Sequence, residues 1–166
     1  MNIFVILVSL QGLAILVDEF IFHHRRGLPR WERIGHPIDT ALVLICLLYI
    51  GFAKHSRVNE IIYYSLVVVS SICITKDEWV HRKLCTGEEM WLHAVLFILH
   101  PLMLVSAAFN WDNHPDYVLM AAGGIFVFFV YQIVYWNFIE YRLQEQRRIS
   151  RHRPHTDEEL YDYFGE

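Results

Sequence analysis

Polar residues break the chain into five apolar blocks, Ile3 to Phe22, Pro37 to Ala53, Ile61 to Thr75, Met90 to Phe109 and Tyr117 to Ile139. A bilayer core of about 30 Å asks for roughly 20 helical residues. The second and third blocks are short for that and reach it with flanking aromatic and polar residues. The pattern predicts an all-α integral membrane protein with five transmembrane helices. Composition agrees, because 55% hydrophobic residues and a mean hydropathy of +0.29 exceed what a soluble domain of 166 residues usually carries.

The first block lacks a basic leading segment and carries Asp18 and Glu19 where a small-residue cleavage site would sit, so it reads as helix 1 and not as a removed signal. Arg and Lys gather after helix 1 (Arg25, Arg26, Arg30, Arg33), after helix 3 (Lys76, Arg82, Lys83) and after helix 5 (Arg142 to Arg153), against Lys54 and Arg57 on the other side. The positive-inside rule then puts the N-terminus outside and the C-terminus in the cytoplasm of an inner or plasma membrane. Residues 1–149 form the transmembrane domain and 150–166 a polar cytoplasmic tail. The net charge of -4 changes nothing in this picture.

The stretch from Lys76 to His100 places acids, histidines and a cysteine between two apolar runs. Such residues are costly to desolvate and mark function when they lie at membrane depth. Asp77 and Glu78 precede His81 by four and three residues, and Glu89 precedes His93 by four, so each pair shares a helical face. Glu19 with His23, and Glu32 with His36 and Asp39, repeat the spacing in the first hairpin. All four helix ends at one surface therefore carry acid and imidazole together. His100 lies two turns beyond His93, either in a direct role or hydrogen-bonded to a neighbouring helix beside Pro101.

The two hairpins also share an order: Asp-Glu-aromatic, His with basic neighbours, Gly, then Glu-x-x-x-His. Asp18 to His36 covers eighteen positions and Asp77 to His93 sixteen. Helices 1-2 and 3-4 thus read as a parallel internal repeat forming a four-helix bundle, with helix 5 outside it. The expected metal ligands are Glu19, His23, Glu32, His36, Asp39, Asp77, Glu78, His81, Glu89 and His93. Asp18, Asp77 and His24 are expected to orient them from behind.

This ligand plan is similar to that of the di-iron carboxylate bundles, except that those use Glu-x-x-His. Mixed carboxylate and imidazole donors suit two divalent ions, Fe first, with Zn or Mn as alternatives. Cys85 reads as a free loop cysteine, and the spacing of Cys46, Cys73 and Cys85 supports no disulfide framework. Phe20, Phe22, Trp31, Trp79, Trp91, Tyr135, Trp136 and Tyr141 are interfacial anchors or the walls of an apolar slot.

The function expected is an oxidoreductase with a dinuclear site near the cytoplasmic face, acting on a lipid or membrane-soluble substrate within the bilayer. A metal-ion carrier or sensor and a zinc-dependent membrane hydrolase are the alternatives. No phosphate-cradling glycine loop, Gly-x-Ser-x-Gly elbow or Cys-x-x-Cys pair is present, and nothing favours a nucleic-acid partner.

Overall fold

The computed structural model describes residues 2–78, 82 and 85–143. Among them the chain is helical with no strand, and five helices are long and apolar enough to cross a membrane: α1 (Ile3–Arg26), α2 (Arg30–Phe52), α3 (Arg57–Lys76), α4 (Gly87–Ala108) and α5 (Pro115–Leu143). The polar tail at 150–166 lies outside the described residues.

Local chemistry fixes the helix starts. The side chains of Asn2, Ser56 and Thr86 cap α1, α3 and α4 by accepting the backbone N–H of Phe4, Asn59 and Glu89. Glu32 and Glu89 fall in the first turns of α2 and α4, where the helix dipole favours a carboxylate. Gly27, at φ 75°, ends α1 and turns the chain toward α2.

The helix α2 starts at Arg30 and so runs through Pro37, which was expected near its beginning. Proline has no N–H to offer the carbonyl of Arg33 four residues back. Asn137 of α5 supplies the missing donor, its Nδ2 lying 3.4 Å from the Arg33 oxygen. This contact belongs to the most extensive helix pairing, α2 against α5, where Gly51 lies directly against Leu119. Farther along α5 Ala122 is buried, whereas Gly123 and Gly124 face open space.

The other main pairings are α1 with α4, α2 with α3, α3 with α4 and α2 with α4. Phe4, Cys46, Leu47, Ile50, Tyr63, Leu104, Ala107 and Val118 fill the core at the end away from the charged loops. Polar ties close that end: Trp111 Nε1 donates to the Ala53 carbonyl at 2.7 Å, and Asn2 bonds Asn110. Outward faces are apolar throughout, with Phe52, Met120, Trp91, Val127 and Phe109 among the most exposed side chains.

The two hairpins do not present equivalent ends. At Asp18–His23, α1 opens into a π turn, whereas α3 tightens into a 3-10 turn over Ile74–Asp77. A second π turn, Tyr135–Ile139, lies near the end of α5. Isolated π turns inside α-helices gather at functional sites, and these two face one another through Trp136 and Glu19.

Candidate metal centre

An α-helix turns about 100° per residue, which would set Asp18 and His23 well apart around α1. The π turn brings them together instead, and His23 Nε2 lies 3.3 Å from Asp18 Oδ2. The other oxygen of the same carboxylate, Oδ1, is 3.1 Å from His93 Nε2 of α4. One acid thus holds two imidazoles from two helices. Glu89 Oε1 completes the group at 4.0 Å from His23 Nε2.

Asp18, His23, Glu89 and His93 are all buried and each turns one ligand atom to within 4.8 Å of the others. Donors about 2.0–2.2 Å from a common ion lie roughly 3–3.5 Å from one another, so modest closure of this group can hold a metal. His23, Glu32 and His36 form a second group of the same kind. The two groups share His23, whose ring centroid is 4.8 Å from that of His36 and 6.5 Å from that of His93.

Glu19 stands outside both groups, although it was expected as a ligand. It sits behind His23, with Oε2 3.3 Å from Nδ1, while its Oε1 accepts the indole N–H of buried Trp136. Asp18 faces the donor cluster, and Glu19 sits where it can orient the His23 imidazole. Asp39 is also outside the groups, paired with Lys76 Nζ at 2.5 Å, which ties α2 to α3. His24 turns away from the cluster. It bonds the Tyr131 hydroxyl at 2.8 Å and stacks on Tyr135.

From the second hairpin, Glu89 and His93 enter the cluster and half-buried Glu78 does not. His81 lies outside the described residues, and at Asp77 the backbone alone is described. Cys85 packs beside Glu89. Burial, then the hydrogen bond to Glu89 and its charge, push the thiol up to about 12, so it is a neutral group with little thiolate character.

Arg26 is the cation that the motif reading passed over, because its place among loop arginines already had a topological explanation. Its Nη2 donates to Glu32 at 2.8 Å and to Glu89 at 2.9 Å, joining the ends of α1, α2 and α4. Trp136 was passed over for a similar reason, as an anchor among many aromatics. Neither role has a spacing signal, since both depend on helices distant in sequence.

A cavity of about 160 Å³ opens on the cluster and runs inward between all five helices. Asp18, Glu19, His23, His36, Asp39 and His93 line one end, and Gln11 and His100 line it farther in. His100 is hydrogen-bonded to two neighbouring helices, to Gln11 of α1 and Ser70 of α3. No family model, curated protein or solved structure matches the chain.

Proposed function

We propose that the chain is an integral membrane metalloprotein whose carboxylate and histidine cluster holds two divalent ions, iron foremost, and acts as an oxidoreductase on a membrane-soluble substrate. The observation that carries this reading is the buried convergence of Asp18, His23, Glu89 and His93 at the mouth of an interhelical cavity. Glu32 and His36 would hold the second ion, with His23 ligating one ion at a time because Glu19 keeps its Nδ1. An iron pair would supply electron transfer there, while Glu19 fixes the His23 imidazole.

One feature favours this reading over a carrier. A carried ion would need charged ligands along its path, yet past the cluster the cavity wall offers Val43, Leu96, Phe97 and the neutral pair Thr40 and Gln132, which bond each other. The positive clusters orient the cluster end toward the cytoplasm of an inner or plasma membrane. The shared order of motifs in the two hairpins is retained as the trace of a duplication whose halves have diverged.

Metal analysis of the purified protein, with optical spectra under air and after reduction, tests the assignment. About two irons per chain and absorption that changes on reduction are expected for the dinuclear pair. Zinc alone would turn the reading to a hydrolase or a structural ion, and substoichiometric, freely exchanging metal would turn it to a carrier.

A further inference from the structure

The inner end of the cavity has chemistry that the metal cluster does not explain. Gln11 is 5% exposed, on an otherwise apolar stretch of α1. Its Nε2 donates to His100 Nδ1 at 3.3 Å. With Nδ1 accepting, His100 carries its proton on Nε2, which donates to Ser70 Oγ at 2.9 Å. That relay uses both imidazole nitrogens and the amide nitrogen, and leaves Gln11 Oε1 buried without a hydrogen-bond partner. A buried acceptor left so is destabilising, and a ligand that brings a donor relieves it.

The space fits a ring. Besides these polar groups the wall includes Val8, Ile15, Val43, Phe97, Met103 and Phe128, with Thr40 and Gln132 hydrogen-bonded to each other, and the volume is about 160 Å³. Apolar cavities of about 150 Å³ take up a benzene-sized molecule. His93 and His100 are seven residues apart on α4, which sets roughly 10 Å between the two polar ends, too short for a whole acyl chain. Carboxylates at the outer end oppose an anionic ligand, and the inner end offers an acceptor and no cation.

We propose that this cavity binds a neutral hydroxylated ring of the phenol or hydroquinone class, its hydroxyl donating to Gln11 Oε1 and its opposite edge toward the Asp18, His23 and His93 cluster. This deepens the oxidoreductase reading by naming the substrate class, and it rests on that reading only for the ring's fate. Binding itself needs no metal.

The test compares para-fluorophenol with fluorobenzene by fluorine NMR, using the full chain in detergent micelles and protein-free micelles as the reference. Saturable binding with about tenfold preference for the phenol is expected, the ratio that about 1.4 kcal/mol for one hydrogen bond produces. Gln11→Met, close in volume and without the acceptor, should bind both probes alike. Val43→Phe, which fills the wall, should bind neither. Equal wild-type affinities, or no saturable binding, would overturn the proposal without reference to any variant, and a preference kept in Gln11→Met would overturn the Gln11 assignment. The same comparison with metal-free and iron-loaded protein separates the two readings. Phenol selectivity in a protein that takes up no metal would leave this site and remove the metal reading, whereas iron uptake without selectivity would do the reverse.

Discussion

Asp18 and His23 stand five residues apart and meet at 3.3 Å inside a π turn. Because Asp18 also reaches His93, the turn joins α1 and α4 through a single carboxylate, and the packing of those two helices carries the donor cluster. His23 belongs to both ligand groups and His36 and His93 to one each.

That sharing ranks the histidines. His23→Ala should lower metal affinity most, by well over the roughly 10- to 100-fold typical of lost supporting contacts, with His93→Ala and His36→Ala each sparing one group. His55 and His114, in the loops at the other end, should be silent. Equilibrium dialysis of the five variants against iron or zinc checks the order. Equal binding by all five would remove the cluster from consideration.

Glu19 and Trp136 should act through His23. Trp136→Phe removes the indole donor and leaves Glu19 Oε1 with one hydrogen bond fewer in a buried site, at about 1–3 kcal/mol. Thermal unfolding of metal-free protein should show the loss, and Glu19→Gln should cancel part of it in the double variant. Independent, additive losses would mean that the two side chains do not act as a unit.

The pairs at spacing four were legible because they obey the α-helical period: Glu19 does reach His23, and Glu89 and His93 do lie on one inward face. Five long apolar helices were legible from block length alone. The contact of Asp18 with His23 was hidden because a π turn inserts its irregularity without any distinctive residue, so the sequence keeps the appearance of a regular helix. Long-range partners were hidden for another reason. Which helix lies beside α1 is decided by packing, and α4 holds that place. Lys76 shows the same limit, since its charge reads as topology while its ammonium pairs with Asp39.

Pro37 and Asn137 make a second relationship that can be isolated. Asn137→Ala should cost on the order of 1 kcal/mol, because the Arg33 carbonyl loses the donor that replaces the proline's missing N–H. In a Pro37→Ala background the backbone N–H returns and the same change should cost much less. Denaturation of the four proteins in one detergent gives the coupling. No coupling would show that Asn137 acts elsewhere.

The orientation can be read with an impermeant thiol label in a background without the native cysteines. Single cysteines at exposed Arg25 and Arg82 should react only from the cytoplasmic side, and those at Arg57 and Asn113 only from outside. Labelling of Arg25 and Arg82 from opposite sides would break the five-helix topology.

The end away from the cluster should respond to pH through His55. Its Nδ1 lies 2.5 Å from Asp112 and its Nε2 2.9 Å from Glu60, and the ring stacks on Trp111, so it links the α2–α3 loop to the α4–α5 loop. Hydrogen bonds to Asp112, then to Glu60, raise its pKa above the usual 6.5, and Arg57 stands on the far side of Glu60. A group whose pKa is higher in the folded state contributes stability that is fully present below its unfolded value and is lost as pH rises through its folded value. The midpoint of thermal unfolding should therefore fall as pH climbs above about 6.5, and His55→Gln should flatten that part of the profile. An unchanged profile in His55→Gln would assign the pH response to another group.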